Sequence, residues 1–222
     1  MFEPINIKAQ PLLVAGAGQP VNDAGGIINA TLERGAVLAS TVIASDAKAK
    51  KSITFTGTPV SGKEVVVTID GNVVRYTTGS TTLATEVTGI KAAINEAAIG
   101  VTATSATGKL SIEVDEKGIT GNSLKVSVEA GESGLVAGAL AVETIGGLAG
   151  QEIFDAVDSG SGTAELQKPI AVLAEDAVQG ECKRVIFTGC FWADALKFKA
   201  GQSLASFKKD LRKLGIFTKG SV

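Results

Sequence analysis

The alternation of hydrophobic and polar residues is clearest in the middle of the chain, where it predicts a β-hairpin. Val65, Val67 and Ile69 recur at every second position before Asp70-Gly71, the dipeptide favoured in two-residue type I′ turns. With that turn, Val67 faces Val74 and Val65 faces Tyr76, so the paired side chains form one apolar face.

A helix that packs on this hairpin is expected directly after it. Ser80 or Thr81 is available to cap its first turn, and Gly100 is placed to end it. Its apolar residues recur at helical spacing, at Leu83, Val87, Ile90, Ile94 and Ala97. Further strands are expected between residues 101 and 128, so residues 52–128 have the predicted order β-β-α-β-β-β.

Shorter strands are expected on both sides of this module. Residues 27–44 are rich in β-branched residues around Gly35 and predict two strands, and residues 169–192 predict three more. The glycine-rich residues 130–162 are interpreted as a connection. The predicted fold class is mainly β with α+β character.

The final predicted element is an amphipathic helix. Ser203 can cap it, and Gly215 suits the position after its end. Its apolar stripe consists of Leu204, Phe207, Leu211 and Leu214. The basic residues from Lys208 to Lys213 mostly lie off this stripe. They could bind an acidic partner, but the usual meaning of such a pattern is a solvent-facing side of the helix.

Residues 1–26 are interpreted as an extended arm. They contain three of the five prolines, which withhold backbone donors, and several glycines, which resist ordering. The arm nevertheless carries more apolar side chains than a solvated tail needs, namely Phe2, Ile5, Ile7, Leu12, Leu13 and Val14. An apolar arm of this kind is expected to pack on a partner.

Composition narrows the classes of function. The net charge of −2 gives no overall attraction to nucleic acid or to anionic lipid, so neither is expected as a partner. No stretch approaches the roughly 20 apolar residues that span a bilayer, and the first residues lack the basic start of a signal peptide. We expect synthesis and assembly in the host cytoplasm.

The chain has no histidine, which removes the Ser-His-Asp and Cys-His mechanisms. Cys182 and Cys190 are interpreted as free thiols, buried or half-buried. The glycines near residue 16 lack the pattern of a phosphate-binding loop. The carboxylates considered as metal or acid-base groups are interpreted instead as solvated turn residues, namely Asp46, Asp70, Asp115, Glu116 and Asp158. We therefore expect no cofactor, metal or small-molecule substrate, and no enzymatic activity.

Aromatic residues gather near the C-terminal end, where residues 187–217 contain six of the nine Phe and Trp residues, from Phe187 to Phe217. Aromatic side chains bury large areas, so this group is first of all a predicted core. The adjacent Phe191 and Trp192 are the candidates for an alternative role at a subunit interface, since such residues contribute a large share of binding energy.

Four short motifs carry a resemblance to a known family. They are Gly35-Ala-Val-Leu-Ala, Leu166-Gln-Lys-Pro-Ile-Ala-Val-Leu-Ala-Glu-Asp-Ala, Arg184-Val-Ile-Phe-Thr-Gly-Cys-Phe and Leu214-Gly-Ile-Phe. Together, over residues 27–50 and 150–222, they resemble the head decoration proteins of tailed phages. The resemblance implies a small β-rich fold that forms a homotrimer on the outside of the capsid and binds the major capsid protein through an N-terminal arm.

The intervening segment departs from that family. Ile53-Thr-Phe-Thr-Gly-Thr, the Asp70-Gly71 hairpin, the following helix and Thr120-Gly-Asn-Ser-Leu resemble a small domain of phage tail sheath and related virion proteins. We therefore expect three parts: an arm over residues 1–26, a decoration-protein core over 27–50 plus 150–222, and an inserted α+β domain over 51–149.

The sequence leaves two other functions open. The inserted module alone is compatible with a tail tube or sheath component. The same module is also compatible with an adhesive or carbohydrate-binding domain on the virion surface, although the single Trp and single Tyr offer little for stacking on sugars.

Overall fold

The structure is a computed structural model that describes residues 23–220. Its strands are β1 (Asp23–Ile28), β2 (Val37–Val42), β3 (Lys48–Gly57), β4 (Glu64–Ile69), β5 (Asn72–Thr77), β6 (Val101–Ala106), β7 (Lys109–Lys117), β8 (Val126–Glu129), β9 (Leu135–Ala137), β10 (Ala141–Thr144), β11 (Glu152–Ala156), β12 (Ala171–Leu173), β13 (Cys182–Ile186), β14 (Gly189–Trp192) and β15 (Ile216–Lys219). The α-helices are α1 (Leu83–Glu96) and α2 (Leu204–Lys213). The predicted class, mainly β with α+β character, is confirmed.

The chain divides into two compact units, which are described separately. Unit 1 contains the described residues up to 41 and from 152 onward, and unit 2 contains residues 42–151. In unit 1, the strands form a closed barrel in the order β1-β11-β2-β12-β13. Strand β1 pairs in parallel with β11 and antiparallel with β13, which closes the barrel.

Two hydrophobic clusters cover opposite faces of the barrel strands. One draws on all five strands, with Ile28, Leu38, Phe154, Leu173 and Val185 among its members, and therefore fills the barrel. The other combines residues of β2, β12 and β13 with residues of α2, β14 and β15. Because successive strand residues point to opposite faces, these buried strands are apolar on both sides.

Unit 2 packs α1 against two sheets. One sheet has the order β10-β3-β7-β6, with β9 also paired to β3, and the other has the order β5-β4-β8. The two sheets and the helix share a single core, to which α1 contributes the fully buried Val87, Ile90 and Ile94. From β4 to β8 the order is β-β-α-β-β-β, as the sequence predicts.

The β4–β5 hairpin confirms the prediction at the level of register. Val67 pairs with Val74 and Val65 with Tyr76. Asp70 and Gly71 have φ values of 46° and 85°, the two positive values that a type I′ turn requires.

The ends of α1 differ from the prediction. The residue that precedes the helix is Thr82, whose side chain makes no capping bond, and the Oγ of Ser80 instead accepts a hydrogen bond from the backbone N–H of Thr82. The helix already ends at Glu96, and Ala98 takes a left-handed φ of 48° before Gly100. The end of α2 is as predicted, since Gly215 has a φ of 77° after the last turn.

The interpretation of residues 130–162 as a connection was wrong. This segment contains β9, β10 and β11, which pair with β3 and with the barrel strand β1. Each is only three to five residues long. Their pairing partners lie far away in the sequence, so local periodicity carries little signal for them.

Side-chain amides complete the backbone pairing in unit 2. Asn95 of α1 donates to the carbonyl oxygen of Ala103 at 3.0 Å and accepts from its N–H at 2.7 Å, so it occupies the edge of β6 as a neighbouring strand would. Asn122 makes the same pair of bonds to Gly146, at 3.0 and 2.7 Å. Both amides satisfy backbone groups that would otherwise lack partners.

A buried carboxylate holds the start of α1. Glu86 is fully buried, and its Oε1 accepts the backbone N–H groups of Gly79 and Ser80. Burial is the main cause that raises the pKa of the Tyr76 hydroxyl to about 12. A hydrogen bond to the Glu86 carboxyl group and the charge of that group contribute in the same direction. The contact therefore connects the hairpin, the loop after it and the helix.

Candidate functional site

The apolar arm predicted to bind a partner lies outside the described residues. Its members are Phe2, Ile5, Ile7, Leu12, Leu13 and Val14. Asp23, the first described residue, begins β1, whose pairing with β13 starts there. Residues 23–26 of the predicted arm therefore belong to a strand of the closed barrel of unit 1, and residues 1–22 precede that strand.

The structure separates the two aromatic residues predicted as core or interface. Phe191 is fully buried in the cluster shared with α2, whereas its neighbour Trp192 is half-buried. The difference follows from their adjacent positions in β14, because successive residues of a strand point to opposite faces.

Strands β14 and β15 form a parallel two-stranded sheet with two unlike faces. Gly189 pairs with Ile216 and Phe191 with Thr218, and this face packs into the core through Phe191 and Ile216. The opposite face, called here the outward face, consists of Cys190, Trp192, Phe217 and Lys219. Within residues 23–220, no other strand pairs with β14 or β15.

Phe217 is the most prominent residue of the outward face. Its side chain is 47% exposed, while the other described phenylalanines are buried or half-buried. Trp192 lies in the adjoining strand β14 and is half-buried. Cys190, which pairs with Phe217 in the register of the two strands, is 7% exposed. The outward face therefore presents aromatic surface with a lysine at one end.

Helix α2 presents a cationic face. Phe207 and Leu211 bury the apolar side of the helix, and the opposite side carries exposed Lys208, Lys209 and Arg212. Lys213 pairs with Asp210 at 2.9 Å, whereas none of those three cations makes an ion pair within the described chain. Asp210, the one acidic residue of α2, is thus already engaged by Lys213.

Charge is segregated along unit 1. Residues 197–219 contain seven lysines and arginines and one aspartate. Residues 152–194 contain eight acidic residues and three basic ones. The two segments therefore carry opposite net charges. Because the net charge of the whole chain is only −2, its overall composition does not reveal this difference.

A cleft of about 530 Å³ lies in unit 1 beside Asp158. It is lined by Leu32, Leu166 and Phe198 among apolar residues and by Lys199 and Asp158 among charged ones. The Lys199 ammonium, then the Gly160 N–H, lowers the pKa of the Asp158 carboxyl group, and Gln202 donates to the same carboxylate at 2.7 Å. The carboxylate's hydrogen bonds are therefore directed to its own loop and to the segment around Lys199.

The other carboxylates considered from the sequence are dispersed. Asp46 accepts the Ala149 N–H, which lowers its pKa, and Asp70 accepts the Lys125 N–H at 2.7 Å.

Two carboxylates differ from their interpretation as turn residues, because Asp115 and Glu116 lie in β7.

Across residues 23–220, no cluster of three or more potential metal-ligating side chains occurs. The same part of the chain contains no helix that is long and apolar enough to cross a bilayer.

Sequence reasoning missed two features of this region. Cys182 was expected to be buried or half-buried, but it is exposed, since β13 carries it near one end of the strand. Phe217 was included in the predicted aromatic core, yet nearly half of it is exposed. The one sequence signal for the exposure of Phe217 was its position next to Ile216. Adjacent residues of a strand point to opposite faces, so only one of the two can face the core.

No family model matches the chain, and no curated protein sequence matches it. Among solved structures, it is similar to the D2–D3 domains of the flagellar cap protein FliD from Serratia marcescens, at 15% identity and a TM-score of 0.27, covering 82% of this chain and 96% of that one. It is also similar to the D1–D2–D3 domains of FliD from Escherichia coli, at 13% identity and a TM-score of 0.29, covering 89% of this chain and 59% of that one. A structure from Mycobacterium phage Patience is similar at 12% identity and a TM-score of 0.26, covering 78% of this chain and 94% of that one. TM-scores of this size establish neither a shared fold nor a shared function.

Proposed function

We propose that this chain is a head decoration protein of a tailed phage, a non-enzymatic protein that binds the outer surface of the capsid as a trimer. The proposal continues the resemblance carried by residues 27–50 and 150–222. It assigns the chemistry of the protein to burial and strand pairing, with no catalytic group.

One observation carries the proposal. The two stretches that bear the resemblance are separated by about a hundred residues, yet they contribute adjacent strands to one barrel. Strand β2 from the first stretch lies between β11 and β12 from the second. A chance resemblance would not require these motifs to form one core, so their joint barrel supports the family-like arrangement.

The arm supplies the proposed contact with the shell. Residues 1–22 precede the barrel, and a fully extended segment of that length spans up to about 75 Å. An extended apolar segment can add a strand to an exposed sheet edge of the capsid protein, where main-chain hydrogen bonds provide affinity and side chains provide specificity. Its apolar residues would then be buried against the shell.

Stabilisation of the shell follows from mass action. A protein that binds the expanded lattice and not its precursor stabilises the expanded form, by about 2.7 kcal/mol per site at a free concentration of 100 times Kd. In this arrangement unit 2 is the part that projects away from the shell, in agreement with the tolerance of surface turns for insertions.

Deletion of residues 1–14 tests the proposal directly. The truncated protein should keep the circular dichroism of the full chain and lose binding to expanded heads that lack this protein, as measured by co-sedimentation. A matched variant with Lys8→Ala and Gln10→Ala keeps the apolar residues and should bind normally. Unchanged occupancy of the truncated protein, or antibody label on tails in electron micrographs, would refute the proposed role.

A further inference from the structure

The β14–β15 sheet is incomplete as a packed layer. Parallel strand pairs normally occur with both faces covered, because their connections place other elements on each side. Here the face with Phe191 and Ile216 is buried, whereas the outward face is only partly covered within the described residues: Cys190 is buried and Phe217 is 47% exposed. A layer of this kind is expected to be covered in the assembled state.

The residue types on the outward face suit a protein interface. Trp and Phe are enriched at interface cores, and Trp often contributes more binding energy than its neighbours. Elsewhere the exposed large hydrophobic residues of unit 1 are aliphatic, such as Val178 and Leu214. Single exposed aliphatic side chains are normal on protein surfaces and need no partner.

The charges of unit 1 indicate what the partner is. A contact that set the cationic residues 197–219 of two copies against each other would be repulsive, which disfavours a symmetric pairing of this segment with itself. A head-to-tail contact instead brings this segment onto the acidic residues 152–194 of the next copy. Head-to-tail contacts of this kind close into rings when the rotation permits.

We propose that the outward face of β14–β15 is the interface between copies of this chain, anchored by Trp192 and Phe217. The cationic face of α2 approaches the acid-rich part of the neighbouring unit 1 in the same assembly. The inference rests on the proposed function in that it names the surface through which the trimer forms, but it can be tested without a capsid.

Phe217→Ala is the decisive variant. The Phe217 side chain lies at the surface, so its removal is expected to leave the fold intact. Sedimentation velocity of the full wild-type chain at micromolar concentration should show one discrete oligomer. The variant should dissociate at a concentration at least about tenfold higher than the wild type. Val73→Ala, which removes a similarly exposed hydrophobic side chain of unit 2, is the control and should leave the oligomer unchanged.

Trp192 is the only tryptophan of the chain and therefore reports on the interface itself. Dilution of the wild type should shift its emission to longer wavelength over the same concentration range in which the oligomer dissociates. The emission of Phe217→Ala should already be shifted at concentrations where the wild type is assembled.

The charge component has a separate test. Replacement of Lys208, Lys209 and Arg212 by Gln should weaken the oligomer at low salt, and the difference from wild type should vanish at high salt because exposed charges are screened. Replacement of Lys91 and Lys125 by Gln in unit 2 is the control and should have no effect.

Three outcomes overturn the inference. They are a wild-type chain that stays monomeric throughout, an oligomer that Phe217→Ala does not weaken, and a Trp192 emission that changes on deletion of residues 1–14 instead of on dilution. The last would show that the arm of the same chain covers the face. An intact oligomer that fails to bind heads would instead refute the proposed function alone.

Discussion

Gly89, inside helix α1, is a position in unit 2 where a single methyl group should have a large effect. A Cβ atom at Gly89 would lie 2.2 Å from the Oη of Tyr76 and 2.4 Å from its Cζ. Ordinary contacts between heavy atoms lie at about 3.5–4.0 Å, so the tyrosine ring would have to move by more than about 1 Å. The ring is held by strand β5 and by the contact of its hydroxyl with Glu86.

The magnitude follows from two opposing terms. In an ordinary helix interior, Gly→Ala stabilises by about 1 kcal/mol. Overpacking costs about 1–3 kcal/mol, and the upper end of this range is expected because the added Cβ overlaps a ring held on strand β5. The sum favours net destabilisation of unit 2 by about 2 kcal/mol, equivalent to a fall in Tm of roughly 8 °C for a unit of this size.

Thermal unfolding followed by circular dichroism measures this change, and Trp192 fluorescence follows unit 1 in the same sample. Gly162→Ala is the control, because no atom lies within 4 Å of the added Cβ. It should alter stability by no more than about 0.5 kcal/mol.

A double-mutant cycle isolates the clash from other effects. In a Tyr76→Val background the obstructing ring is absent, so Gly89→Ala should become neutral or stabilising. If Gly89→Ala raises the Tm of the otherwise wild-type chain, or has the same effect in both backgrounds, the reasoning from the close approach is refuted.

Two further predictions concern buried amides and acid sensitivity. Asn122→Ala removes both hydrogen bonds to the backbone of Gly146 and should destabilise unit 2 by about 3 kcal/mol, as measured by urea titration. The control Asn72→Ala removes one 3.2 Å hydrogen bond at an exposed turn and should cost far less stability. Equal losses of stability in the two variants would contradict this account. Because the folded-state pKa of Asp158 is lowered, its contribution to stability is present above the ordinary carboxyl pKa and is lost as pH falls through the folded pKa. Asp158→Asn should therefore lose less stability than the wild type between about pH 5 and pH 2, as followed by urea unfolding with Trp192 fluorescence, and an unchanged acid dependence would argue against this contribution.

Local signals were sufficient where the interaction itself is local. Asp70 and Gly71 supply both positive φ values of the hairpin turn, so the register of β4 and β5 is fixed by residues adjacent in sequence. Gly215 likewise ends α2, and the apolar spacing from Leu83 to Ile94 placed α1 correctly.

Non-local pairing was not accessible in the same way. Strand β9 exists because Leu135 can pair with Gly57, and β11 because Ile153 can pair with Ile27. Neither short segment has enough alternation to predict a strand alone. The amide of Asn95 at the edge of β6 and the approach of Tyr76 to Gly89 also depend on how elements pack, which residue type does not reveal.

The candidate site shows the same division. The sequence determined that Phe191 and Trp192 are adjacent, that the last helix is amphipathic and that basic residues concentrate near the C-terminal end. Only the tertiary structure decided that Phe191 is buried and that Trp192 shares a face with Phe217, because that outcome depends on the parallel pairing of two strands joined through α2. Side-chain periodicity is a property of the local backbone, whereas burial depends on which distant element covers each face.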